Sequence, residues 1–104
     1  MSFGKTIADA RKKLGMSQKE LAQKILKEDG QPISPQYLND IERDRRSPTS
    51  DNLIDQFAAA LKIDRELLYY WASRVPEDFK PKRAADERIV SAYKAFRKEI
   101  KGGR

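Results

Sequence analysis

The chain has 104 residues and a formal net charge of +6, with 38% hydrophobic and 37% charged side chains, which suits one domain with a modest core, a heavily charged surface and an appended tail. It contains neither Cys nor His, which excludes disulfides, thiolate or imidazole metal sites, and Ser-His or Cys-His nucleophiles. No apolar run approaches membrane-span length and the N-terminus lacks a secretory h-region, so a cytoplasmic protein with no membrane partner is expected.

Phe3, Ile7, Ala10 and Leu14 recur at helical spacing and predict an amphipathic helix over 3–14, stopped by Gly15. Ser17-Gln18-Lys19-Glu20 fits a capping box and opens a second helix, with Leu21, Ala22, Ile25 and Leu26 as its buried face. Glu28 to Ile33 (EDGQPI) breaks it with Gly30 and Pro32. Ser34-Pro35 opens a third helix, because Ser caps and Pro at the first helical position has no N–H to leave unpaired. Leu38 and Ile41 face inward there, leaving Gln36, Asn39, Asp40 and Arg43 on other faces.

A basic loop, Asp44 to Thr49, ends at Pro48. A fourth helix is expected from Ser50 to Lys62, with Leu53, Ile54, Phe57 and Leu61 as its stripe and Asp51 and Asp55 favouring its dipole. Asp64 is expected to cap a fifth helix carrying Leu67, Leu68 and Trp71. Pro76 and Pro81 bracket a linker. Ala85, Ile89, Ala92, Tyr93, Phe96 and Ile100 then mark a sixth amphipathic helix, and Gly102-Gly103-Arg104 should fray. No alternating pattern argues for strands. The expected fold is therefore all-α, with a unit over 1–75, a linker over 76–83 and a C-terminal amphipathic helix over 84–101.

Charge is unevenly placed. Ten Lys and Arg stand against seven Asp and Glu in residues 1–48, three against six in 49–79, and nine against three in 80–104. Such asymmetry suits a polyanion, although any single cluster can equally be a solvated face. The stretch Ser17 to Glu42 points further. It holds two short capped helices joined by a turn, and the second is polar on one face and rich in amides. That shape suits reading base edges in a DNA major groove.

These residues resemble the helix-turn-helix family of phage Cro and repressor proteins and their bacterial relatives. The resemblance covers roughly residues 3–73 and rests on Arg11, Gly15-x-Ser17-Gln18-x-x-Leu21-Ala22, Ile33-Ser34-x-x-x-Leu38-x-x-Ile41-Glu42, Pro48, and the closing Leu53 to Ile63 with Leu67-Leu68. It implies a five-helix repressor-like DNA-binding domain followed by the C-terminal helix. Two departures stand out. The connection from Leu26 to Pro32 is about six residues longer than the family's tight turn; it can touch DNA or only lengthen the second helix. Asp44 stands where the family favours Gly after its Glu.

The resemblance also assigns roles. Gln18 contacts a phosphate, with Lys19 as a weaker candidate beside it. Pro35, Gln36 and Asp40 match the positions from which relatives read bases, with Asn39 as an extra polar contact and Ser34 as a further base-reading candidate beside them. Gln36 is the best reader, since an amide pairs bidentately with adenine, whereas Asp40 can only accept from cytosine or exclude wrong sequences. Tyr37 can lie on the sugar-phosphate backbone or the long turn, or form part of the core. By position and charge alone, the basic run Arg43, Arg45 and Arg46 just past the third helix should neutralise phosphates, or any one of them can be a solvated loop charge. Arg11 and Glu42 form an ion pair that sets the angle of the reading helix.

The expected function is a sequence-specific transcriptional regulator, a repressor on family grounds. It would bind a two-fold operator as a homodimer through helix 34–43, with no cofactor, no metal and no enzymatic site. The competing expectation is an antitoxin-like module that neutralises a partner protein and binds DNA only for autoregulation. The last helix divides these readings, since its apolar face can pack on its own domain or pair with a second copy, and its basic face can follow phosphates.

Overall fold

The computed structural model describes residues 1–79 and 86–102. Pro81, Arg83 and Ala85, assigned from sequence to the linker and the last helix, lie outside the described residues, as do Gly103 and Arg104.

Four serines start the first four helices. Ser2, Ser17, Ser34 and Ser50 hold extended backbone and accept, through Oγ, from the backbone N–H three residues on, at 3.0–3.2 Å. They open α1 (Phe3–Lys13), α2 (Gln18–Lys24), α3 (Pro35–Glu42) and α4 (Asp51–Leu61). Each cap is worth about 1 kcal/mol over Ala. At α2 the box closes in both directions, with Glu20 accepting from the Ser17 N–H at 2.9 Å. That bond holds the Glu20 carboxyl below its ordinary pKa.

α5 (Arg65–Trp71) and α6 (Asp86–Ile100) complete the fold, with a 3-10 turn at Glu77–Phe79 between them. Asp64 stands at the cap of α5, but its side chain makes no capping bond; its carbonyl, instead, accepts from Leu67 N–H at 3.1 Å. Among the described residues all regular structure is helical, and the one extended pairing is an isolated bridge between Leu26 and Pro32.

The core belongs to α1–α5. Ile7, Leu21, Ile25, Leu38, Ile41, Ile54, Phe57 and Leu68 are fully buried, Tyr69 nearly so, and Phe3 meets Phe57 edge to face at 6.2 Å. α1 crosses the end of α3 so closely that a Cβ on Gly4 would overlap the Ile41 and Glu42 carbonyl oxygens. Glycine is thus required there by space. Asp44 locks this approach. In a left-handed conformation (φ 59°), it accepts from Gly4 N–H at 2.9 Å and from the Ser2 hydroxyl at 2.6 Å. Aspartate adopts that conformation at a modest cost, and here its carboxylate joins the start of α1 to the end of α3.

The long connection between α2 and α3 is not an extension of α2. The helix ends at Lys24, Ile25 is extended, and Leu26, expected on the buried face, is 41% exposed. Residues 25–33 form a small hairpin instead. Ile33 N–H donates to Ile25 O (2.9 Å), Lys27 N–H to Gln31 O (2.8 Å), and Gly30 N–H to Lys27 O (2.9 Å). Gly30 has φ 84°, which explains glycine at the tip. Its feet, Ile25 and Ile33, are both buried, so the extra residues leave the core undisturbed. Gln56 of α4 clamps one strand: its Oε1 accepts from Leu26 N–H at 2.7 Å and its Nε2 donates to Leu26 O at 2.8 Å.

Residues 74–79 are tied back onto α4 and α5. Asp51 accepts from Arg74 Nε (3.1 Å) and from Glu77 N–H (3.0 Å), and Arg65 bridges Asp55 (2.9 Å) and Asp78 (3.3 Å). The Tyr69 hydroxyl donates to Asp55 at 3.0 Å. Burial, with the Asp55 contact, raises its pKa and keeps it protonated.

Candidate nucleic-acid interface

The exposed end of α3 is built from its cap and its first two residues. Ser34 caps the helix, Pro35 follows without an N–H to satisfy, and Ser34, Pro35 and Gln36 are all exposed. Leu38 and Ile41 bury the opposite face, which fixes the rotation of the helix and leaves Tyr37, Asn39 and Asp40 half-buried at the margin. The expected base-reading residues thus share one continuous edge of α3.

Two contact networks lie along that edge. The inner one starts at Arg11, whose Nε and Nη2 donate to the two Glu42 oxygens at 2.7 and 3.0 Å, while Nη1 donates to Met16 O at 2.8 Å. The hydrogen-bonded Glu42 carboxylate raises the Arg11 pKa despite burial, so the guanidinium stays charged. This fork joins α1, the α1–α2 turn and α3 through two side chains only 10% and 5% exposed.

Gln18 enters the same network. Its Nε2 donates to Glu42 at 2.9 Å and to Asn39 Oδ1 at 3.2 Å. A carboxylate only accepts, so the amide nitrogen must face Glu42. Both side-chain N–H groups of Gln18 are therefore engaged within the protein. Asn39 Oδ1 also accepts from Arg43 Nε at 3.4 Å.

The outer network centres on Asp40. Its carboxylate accepts from Gln36 Nε2 at 3.1 Å and faces Arg45 Nε at 3.3 Å and Arg46 Nε at 3.7 Å. Its carbonyl accepts from the Arg45 and Arg46 N–H groups at 2.8 and 3.3 Å, folding the basic loop back against α3. Arg46 also lies over the Tyr37 ring, 5.6 Å from its centroid. Both arginines remain more than half exposed, so water or phosphate can compete for them. Lys19 is exposed on α2.

The resemblance supplied the Arg11–Glu42 pair, but sequence reasoning treated Gln18, Gln36, Asn39, Asp40, Arg45 and Arg46 singly and missed the rest of the two networks. Asp40 appeared as a poor base reader, yet it gathers Gln36, Arg45 and Arg46. The i, i+4 spacing of Gln36 and Asp40 was the available local signal. The Ser2–Asp44 and Gln56–Leu26 contacts had none, because their partners are 42 and 30 residues apart.

Chemically, this edge offers amide donors and acceptors at one end of a short helix and three arginines at the other. Among the described residues no helix is long and apolar enough to cross a membrane, and no cluster of acidic side chains could hold a metal ion.

A family model described as helix-turn-helix matches residues 7–68. No curated protein matches the chain. Among solved structures it is similar to a SinR protein/SinI protein complex, with a TM-score of 0.52 and 22% identity over 93% of this chain and 98% of that one. At that identity the likeness bears on the fold alone.

Proposed function

The chain belongs to the helix-turn-helix family, and on that premise we propose that it is a sequence-specific DNA-binding transcriptional regulator, a repressor acting as a homodimer on a two-fold operator. α3 enters the major groove by its exposed N-terminal end, so that Ser34, Pro35 and Gln36 meet base edges first, with Asn39 and Asp40 beside them. The observation that carries the reading is the single edge of α3 that joins these residues to Arg43, Arg45 and Arg46. Base readers at one end and phosphate-neutralising groups at the other are what docking in a groove requires. Arg11 and Glu42 hold the angle of that edge. Gln18, which the resemblance places on a phosphate, adds to the hold through its contacts with Glu42 and Asn39.

The reading is tested by two substitutions with different signatures. Gln36→Ala should weaken the preferred site by about 1–3 kcal/mol and relax preference at one base position. Arg45→Ala should weaken all duplexes alike and reduce the salt slope by about 1. Fluorescence anisotropy on preferred and scrambled duplexes separates them. Equal loss on every sequence for Gln36→Ala would refute direct reading by that side chain.

The second reading, a module that neutralises a partner protein and binds DNA for autoregulation, draws support from the exposed apolar face of α6. Stoichiometric co-purification of that partner with the full chain would favour it.

A further inference from the structure

Every described residue of α6 is exposed. Yet Ile89, Tyr93, Phe96 and Ile100 follow the 4-3-4 spacing of a coiled-coil seam along one face, with exposures of 43%, 57%, 50% and 56%. A helix of 15 residues is marginal alone in water and relies on packing of its apolar face. Here Phe96 meets Tyr70 of α5 edge on at 6.0 Å, and Tyr70 is itself 44% exposed. The Cα radius of gyration, 15.6 Å, also exceeds the roughly 13 Å of a compact chain this long, in keeping with a helix that stands off the five-helix unit.

We propose that the face is covered by α6 of a second copy of this chain, packed antiparallel about a two-fold axis near the middle of the helix. Charge placement selects both the partner and the direction. Asp86 and Glu87 occupy the first turn, Arg97 and Lys98 the last, and Lys101 follows directly. Antiparallel pairing sets Asp86 and Glu87 of each copy near Lys98 and Lys101 of the other, at both ends of the seam, with Arg88 the one cation on the acidic side among the described residues. It also places Ile89 opposite the second copy's Ile100, and Tyr93 opposite its Phe96. Parallel pairing would instead stack the two basic ends side by side. The helix dipoles add to the antiparallel preference. This contact supplies the dimer of the reading above and rests on that reading for its purpose, not for its chemistry.

The test is sedimentation equilibrium of the full chain and its variants, with circular dichroism to confirm that helix content is kept. The unaltered chain should dimerise. Phe96→Glu should weaken the dimer at least tenfold, and because Phe96 lies outside the buried core the variant should stay folded. Asp86→Lys and Lys101→Glu should each weaken it several-fold, and the two together should restore it. A chain monomeric at every concentration overturns the proposal. So does a dimer indifferent to Phe96→Glu, a double variant weaker than either single one, or α6 engaged only by a different protein. Binding to a duplex carrying one half-site keeps the two claims apart. If the chain is monomeric but binds the half-site, only the dimer contact fails; if it dimerises as described but binds no duplex, only the DNA reading fails.

Discussion

At the scale of single residues, the chain contrasts a buried ion pair with an exposed one. Arg11 and Glu42 are almost out of water and satisfy one another with two bonds. Removing one partner leaves a buried charge, so Arg11→Met should destabilise the fold by about 3–5 kcal/mol. The double variant Arg11→Met with Glu42→Leu should lose less than that single change. Urea unfolding checks both, and a double variant that loses at least as much as Arg11→Met would show that the pair itself contributes net stability. Asp40 differs, because the arginines it holds are exposed and the net worth of such pairs is small. Its effect should appear in binding. Asp40→Asn removes a negative charge from the reading edge and releases Arg45 and Arg46. Affinity for scrambled duplex should rise several-fold with a steeper salt slope, measured by anisotropy titrations; unchanged affinity would mean that Asp40 does not restrain the arginines. Neither network could be assembled from sequence alone. The i, i+4 spacing places Gln36 and Asp40 on one helix face, but says nothing of Arg45 and Arg46 folding back onto Asp40. For Arg11 and Glu42 the pairing came from the family resemblance, since 31 residues separate them.

At the scale of elements, helix starts were legible, as were the ends of α1, α3 and α4, but the end of α2 was not. A serine followed by a helix former is a local signal, and Ser17, Ser34 and Ser50 each carry it. The end of α2 depends on tertiary contacts. Leu26 continues the apolar spacing of the helix, but Gln56 captures both its backbone groups and holds them extended. Asp64 shows the converse: its position suits a cap, but its side chain forms no capping bond. The clamp predicts that Gln56→Ala costs about 1–2 kcal/mol, the net worth of two hydrogen bonds, and loosens residues 26–32 first. Amide hydrogen exchange should show faster exchange at Leu26 with protection of Leu38 and Ile54 retained. Uniform loss of protection would mean that the hairpin is part of the global unfolding unit.

At the scale of the whole molecule, the five-helix unit and α6 follow opposite rules. In α1–α5 the apolar stripes converge on one core, which is why that part of the fold could be read from periodicity; besides Leu26, the exceptions are Leu14 and Leu67, expected on the stripes but exposed, with Tyr69 buried on α5 instead. The stripe of α6 is as regular but stays on the surface, and periodicity does not say what covers it. Charge is partitioned in the same spirit. In 49–79, Asp51, Asp55 and Asp78 are bound to Arg74 and Arg65, whereas the three exposed arginines after α3 outnumber Asp40, the carboxylate that two of them face, and the basic end of α6 is exposed. The surface thus presents positive charge where the family's fold presents its reading helix. Charge alone would bind any polyanion, so the central claim is that α3 reads sequence. The measurement that addresses it most directly is the affinity ratio between a duplex selected from random DNA and its scramble, taken across a range of salt. The expected result is a two-fold symmetric site preferred by ~10³-fold or more. Equal affinities that fall steeply together with salt would contradict sequence reading and leave only electrostatic attraction.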